Sequence, residues 1–99
     1  MSAPPSKPKV VYKITYPNDK IYVGMDLTGT MLYFGSPTAD IEADFTEDER
    51  KDITIRKEVL WESRDASDAE VRRKEIDTII ELRSNDPSFG YNRTPKWRG

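Results

Sequence analysis

A single carboxylate interrupts an apolar stripe in the C-terminal half of the chain. Four residues there follow helical spacings of 4, 4 and 3: Val71, Glu75, Ile79 and Leu82. That pattern predicts one face of an α-helix with Glu75 in its middle, where an unpaired carboxylate costs several kcal/mol and needs a basic side chain or a metal ion. An alternative stripe through Ile76 and Ile80 would leave Glu75 at its edge as a solvated acid.

Tyrosines are the second group with chemical potential, because Tyr12, Tyr16 and Tyr22 lie in two short runs of β-branched and aromatic residues. A phenol can act as a base if a nearby cation lowers its reference pKa of about 10. The simpler interpretation is that the tyrosines pack a sheet and that the nearby cations are solvated. Three basic residues are candidates for the cation: Lys13, Lys20 and Arg56.

Composition limits the chemistry that is available. The 99 residues include neither cysteine nor histidine, which excludes disulfides, thiolate zinc sites and Ser-His relays. The net charge is −2, yet residues 1–24 and residues 83–99 each sum to +3, while residues 38–50 hold six acids and one arginine. A polyanion would therefore meet local basic regions without being attracted by the overall charge.

The length is that of one domain with a modest core. Residues 1–8 are rich in Ser and Pro and are predicted to be disordered, which leaves residues 9–97 as the domain. The sequence contains no apolar run of about 18 residues and no charged-then-apolar leader, so we expect a soluble, cytoplasmic protein that does not enter a membrane.

The N-terminal third predicts a β-hairpin. Strands at residues 9–16 and 20–25 flank the turn Pro17-Asn18-Asp19. A third strand is predicted at residues 53–62. Alternation would put one set of its side chains on one face and the other set on the opposite face: Ile53, Ile55, Val59 and Trp61 against Thr54, Arg56, Glu58 and Leu60.

Helix signals separate and follow these strands. Ser36-Pro37 predicts a helix start, with Ile41 and Phe45 as its buried stripe. The pairs Thr46/Glu49 and Ser67/Glu70 fit capping boxes, and the second opens a helix to about residue 83. The C-terminal tail, residues 89–99, carries Phe89, Tyr91 and Trp97, and these aromatic residues predict that it folds back on the domain. The order β-β-α-β-α predicts an α+β fold, a three-stranded antiparallel sheet flanked by helices.

Two of these strands also carry a family resemblance. Val10-Val11-Tyr12 and Ile21-Tyr22-Val23-Gly24 resemble the paired motifs of the GIY-YIG nuclease superfamily, with Val10 in place of the first glycine. The resemblance continues through Tyr33-Phe34-Gly35-Ser36, Glu75 and Gly90-Tyr91-Asn92, and it covers roughly residues 9–97.

The resemblance implies a divalent-metal phosphodiesterase acting on DNA, including branched or single-stranded DNA. In that family a helix glutamate holds one Mg²⁺ (or Mn²⁺), which assigns the metal to Glu75. Tyr12 would be the base or its relay, Tyr22 a partner of phosphate or water, and Asn92 an orienting group. Gly24 would let the backbone approach the site closely. Lys13 and Lys20 would contact the substrate.

The family's phosphate-binding arginine normally lies in the helix after the second motif, but residues 37–49 contain none. Arg50 lies at the end of that segment, and Arg56, next to Lys57, is the preferred substitute. If neither reaches the site, transition-state stabilisation would be lost, and the chain would be a weak or inactive binding module for nucleic acid or protein. Cutting both strands would require a homodimer or two binding events.

Overall fold

A computed structural model of the chain describes residues 8–27 and 43–98. Its elements are β1 (Lys9–Thr15), β2 (Ile21–Asp26), α1 (Glu47–Lys51), β3 (Arg56–Ser63) and α2 (Asp68–Leu82). The strands form one antiparallel sheet in the order β2-β1-β3, which confirms the predicted α+β class. The predicted helix start at Ser36-Pro37 and the motif at residues 33–36 lie outside the described residues.

The N-terminal hairpin is confirmed. In its turn, the Lys20 N–H donates to Asn18 Oδ1 at 3.0 Å, and Asp19 adopts a left-handed φ of 68°, which Asp tolerates better than most residues. The register places Tyr12 opposite Gly24 and Ile14 opposite Tyr22.

The third strand begins at Arg56, later than predicted, and it contains a β-bulge. Val11 pairs with Trp61 but Tyr12 pairs with Val59, so Leu60 is an extra residue. An extra residue reverses the alternation of side chains beyond it. The prediction that Val59 and Trp61 share a face is therefore wrong: Trp61 packs against the core, and Val59 is 54% exposed.

Each face of the sheet carries its own apolar cluster. We call them the tyrosine face, with Val10, Tyr12, Ile14, Tyr16, Phe45 and Tyr91, and the helix face, with Val11, Val23, Ala66, Val71 and Ile79. Helix α2 covers the helix face. Glu75 is half-buried within its buried stripe, whereas Ile80 is 56% exposed. The stripe that contains Glu75 is thus the observed one, and the alternative through Ile80 is wrong.

Capping and one lysine fix the start of α2. The Glu70 N–H donates to Ser67 Oγ at 3.2 Å and the Ser67 N–H donates to Glu70 Oε1 at 3.4 Å, as the capping box predicts. Lys9 Nζ contacts Asp68 Oδ1 and Ala66 O, each at 2.9 Å. The helix therefore starts beside the beginning of β1, and Glu75 lies two turns further on.

The tail folds back on the sheet, as the aromatic residues predict. The Ile21 N–H donates to Phe89 O at 3.0 Å and the Tyr91 N–H donates to Ile21 O at 2.9 Å, so the chain runs beside β2 at Gly90. A Cβ on Gly90 would lie 2.6 Å from Ile21 O and would also strike the Ser84 main chain. Only glycine permits this approach. Within residues 8–27 and 43–98, no helix is long and apolar enough to cross a membrane.

Candidate functional site

Five of the eight predicted site residues lie in β2 or reach it from neighbouring elements: Tyr12, Tyr22, Gly24, Glu75 and Asn92. A sheet edge leaves backbone groups without strand partners, and on β2 those of Ile21, Val23 and Met25 point outward. The tail binds Ile21, the Asn92 side chain binds Val23, and the Met25 N–H is close enough to the Glu75 carboxyl group to lower its pKa. Each outward-facing residue of β2 thus meets a different group.

The side-chain amide of Asn92 makes the hydrogen bonds that a neighbouring strand would make at this edge. Its Oδ1 accepts from the Val23 N–H and its Nδ2 donates to Val23 O, both at 2.8 Å, while its own N–H donates to Ser84 O at 2.9 Å. Since both ends of the amide bind one backbone unit, Asn92 holds β2 in place. That is a different use from the orienting role that the family resemblance implies.

Glu75 reaches the same edge from the helix face. Burial raises the pKa of its carboxyl group, and this effect outweighs the opposing influence of the Arg72 charge and of the Met25 N–H. Glu75 belongs to no ion pair of the described residues, so its charge is only partly compensated. A cation next to Glu75 would therefore stabilise its charged form.

Tyr12 approaches from the opposite face. Its phenol lies across Gly24, so that a Cβ there would be 2.5 Å from Tyr12 Oη and 2.6 Å from Cζ. Gly24 is thus required to make room for the phenol, which is a more specific reason than the predicted backbone approach. Lys57 Nζ lies 4.5 Å from the centroid of the Tyr12 ring, a cation–π distance. The phenol and Glu75 consequently reach adjacent residues of β2.

The other predicted residues are distributed around this centre. Tyr22 is half-buried against the tyrosine face, in the same cluster as Tyr12. Lys13 lies on the opposite face, where its Nζ is 3.3 Å from Glu58 Oε1. Lys20 pairs with Asp44 at 3.2 Å, at the far end of β2.

Arg56 is not brought to the β2 edge. It is opposite Thr15 in the ladder, its side chain is 74% exposed, and its guanidinium is 3.5 Å from Glu58. Two strand spacings and four residues separate its backbone from Met25, roughly 10 Å across the sheet and 13 Å along it. The side chain of Arg50, the other predicted substitute, lies outside the described residues.

Two charged residues near the centre were missed by sequence reasoning. Arg72 precedes Glu75 by one helical turn, a spacing that puts the two side chains on neighbouring positions of one helix face; it is exposed and has no ion pair among the described residues. Asp26 is buried two positions after Gly24, on the tyrosine face. The spacing to Glu75 was a usable signal for Arg72, whereas the burial of Asp26 had no signal.

Comparison with known proteins adds no relative: no protein-family model, curated protein or solved structure matches the chain. The functional interpretation therefore depends on the residues of the β2 edge and on the motifs that they carry.

Proposed function

We propose that the chain is a divalent-metal-dependent endonuclease of the GIY-YIG type, which hydrolyses phosphodiester bonds of DNA at the outer edge of β2. One observation carries the proposal. The Tyr12 phenol and the Glu75 carboxylate come from different elements and opposite faces, and they reach the adjacent residues Gly24 and Met25. Metal-assisted hydrolysis requires at least a proton acceptor and a cation ligand, and the proposal assigns these roles to Tyr12 and Glu75 on the two sides of β2.

The donors fit one loosely held metal ion. Mg²⁺ commonly binds one or two carboxylates and completes its coordination with water and substrate phosphate. Within the part of the chain that the structure describes, no group of three or more acidic, histidine or cysteine side chains could hold a metal, so Glu75 alone would bind Mg²⁺ or Mn²⁺ weakly until substrate arrives. Bound metal would supply Lewis-acid stabilisation of the charge that develops on the phosphodiester.

The remaining roles follow from position. Tyr12 would act as its phenolate, which Lys57 over the ring would stabilise, and it would become neutral on taking the proton of the attacking water. Tyr22 borders the tyrosine face as a phosphate or water partner. Arg72, one turn from Glu75, replaces Arg56 as the cation that steadies the phosphate. Asn92 contributes by fixing the backbone of β2.

Plasmid nicking with Mg²⁺ or Mn²⁺ tests the metal assignment. Glu75→Gln keeps the size of the side chain and an oxygen acceptor for the Met25 N–H but removes the charge, so activity should fall by about 100-fold or more. Glu81→Gln is the matched control, because Glu81 is exposed on the same helix. Nicking by Glu75→Gln at the rate of the control would remove Glu75 from the mechanism. Tyr12→Phe, which keeps the ring over Gly24, should also slow nicking.

The assignment of the phosphate-binding role to Arg72 is tested by comparing alanine variants of three arginines. Removing a positioned cation from a phosphoryl-transfer site costs roughly 10²–10³ in rate, and we expect that loss for Arg72→Ala. Arg73→Ala is the control of equal charge, since Arg73 Nε is 3.3 Å from Asp77 on the exposed side of α2. A larger loss in Arg56→Ala than in Arg72→Ala would return the role to Arg56.

A second candidate function is favoured by the lone carboxylate and by the absence of arginine from residues 37–49. The chain would then be a GIY-YIG-like binding module for nucleic acid or protein that cleaves weakly or not at all. Binding that weakens steeply with salt would indicate phosphate contacts. A flat salt response, together with no nicking in either metal, would favour a protein partner.

A further inference from the structure

A cleft of about 530 Å³ lies where the C-terminal tail passes the end of β2. Its walls combine basic and aromatic side chains, with Lys20, Arg93, Lys96 and Trp97 among them. Asn92, which clamps Val23, also borders the cleft. The cleft is therefore continuous with the outer edge of β2 but distinct from the position of Glu75.

The tail that carries these side chains is held in place. Buried Asn85 donates from Nδ2 to Pro95 O at 2.7 Å, and the Asn92 N–H donates to Ser84 O at 2.9 Å. Trp97 follows the anchored Pro95 and is 37% exposed. Part of the indole is thus covered by protein and part faces outward, so a planar ligand would meet a ring that loses little freedom on binding.

The charge balance of the cleft is positive. Asp44 is 3.2 Å from Lys20 Nζ, so these two charges largely cancel. Among the described residues that line the cleft, Lys20, Arg93 and Lys96 are basic and Asp44 is acidic, and Lys96 belongs to no ion pair of the described residues. Cations beside an aromatic face suit a polymer of phosphates and bases, since phosphates bind the cations and bases stack on the ring.

We propose that this cleft binds an unpaired segment of nucleic acid, with one base stacked on Trp97 and neighbouring phosphates on Arg93 and Lys96. An unpaired segment is required because a base within a duplex has no free face to offer to the indole. This proposal extends the proposed function by naming the form of nucleic acid that binds. It rests on the proposed function only for the claim that the bound strand is then cleaved. Ile21 lies at the cleft end of β2 and Met25 at the Glu75 end, four residues or roughly 13 Å apart. One single strand of nucleic acid could therefore contact both the cleft and Glu75.

Binding is measured in EDTA, where cleavage cannot occur, which separates failure of the cleft from failure of the nuclease. In a Trp61→Phe background Trp97 is the remaining tryptophan of the two in the chain, and a short single-stranded oligonucleotide should quench its fluorescence. By anisotropy with a labelled oligonucleotide, Trp97→Ala should bind about tenfold more weakly or worse, while Trp97→Phe should keep most of the affinity.

The charge contribution is tested at an exposed position where folding is not at risk. Lys96→Gln should lower the slope of log K against log salt by about 0.7, the value for one phosphate contact on a single strand. Lys74→Gln, an equal charge change on exposed α2, should leave the slope unchanged. Equal binding of the matching duplex or of an acidic peptide, or an unchanged affinity in Trp97→Ala, would overturn the proposal.

Discussion

Replacing Gly24 with alanine would put a methyl group where the Tyr12 phenol now lies. The new Cβ would be 2.5 Å from Tyr12 Oη, 2.6 Å from Cζ and 3.0 Å from Cε2, all well inside van der Waals contact. Tyr12 is 1% exposed and packs within the tyrosine face, so its ring has little room to move away. The substitution therefore tests whether the register of the hairpin positions the phenol.

Two opposing effects set the size of the change in stability. Alanine in a strand is favoured over glycine by roughly 0.5–1 kcal/mol, because it reduces the freedom of the unfolded chain. Overpacking a buried site costs about 1–3 kcal/mol. Since the φ of Gly24 lies outside the left-handed region, alanine brings no backbone strain at this position. The clash should prevail, and the free energy of unfolding should fall by up to about 2.5 kcal/mol.

A double-mutant cycle isolates the clash. Tyr12→Leu lacks the outer ring atoms, so Gly24→Ala in that background should stabilise the protein slightly, and the coupling energy from urea unfolding should be about 1–3 kcal/mol. Nicking by Gly24→Ala should fall as well, because the phenol is displaced from its position over Gly24. Additivity within about 0.5 kcal/mol would refute the placement of the phenol over Gly24.

Three further outcomes are expected. Asn92→Leu leaves the Val23 N–H and C=O without partners and should lower the free energy of unfolding by about 1–3 kcal/mol, measured as a lower urea midpoint; an unchanged midpoint would contradict the clamp. Burial, aided by the hydrogen bond to Asp44, raises the pKa of Tyr91 to about 12. As the pH rises, the phenol of Tyr91 therefore loses its proton in the unfolded chain before it does so in the folded protein. The free energy of unfolding should decline from pH 10 to 12, and less steeply in Tyr91→Phe. The pKa of Glu75 is raised, and a metal ligand must be ionised. Nicking should therefore decline on acidification while the pH is still above 4.5, the ordinary pKa of the group. Full activity down to pH 4.5 would contradict this.

The parts of the fold that the sequence predicted are those decided by neighbouring residues. The hairpin turn needs only Asn18 and Asp19, and the start of α2 needs only Ser67 and Glu70. In each case a side chain binds a backbone group within a few residues. Such signals survive without knowledge of the tertiary structure, and the position of Glu75 in its helical stripe belongs to the same class.

The parts that were missed depend on contacts between distant residues. Leu60 looks like any other strand residue, and only the pairing of β1 with β3 makes it a bulge. Once the bulge is present, Lys57 faces the Tyr12 ring and Arg56 turns to the opposite face. Alternation placed Arg56 on the face opposite Val59, as observed, but it carries no information on strand order, and β3 pairs with β1 on the side away from β2.

The closure of β2 explains why chemistry and stability are coupled at this site. An edge strand exposes backbone groups that must be covered, and here the Met25 N–H faces the Glu75 carboxylate, which belongs to no ion pair of the residues that the structure describes. A leucine would pack better in the stripe but would leave the Met25 N–H bare, whereas an amide would cover it without charge. The stability of the edge thus requires a hydrogen-bond acceptor at this position but does not require a negative charge. Folding therefore does not explain the charge of Glu75, whereas the proposed metal ion does. If Glu75→Gln is as stable as wild type yet inactive, the structural and catalytic roles of this residue are separated.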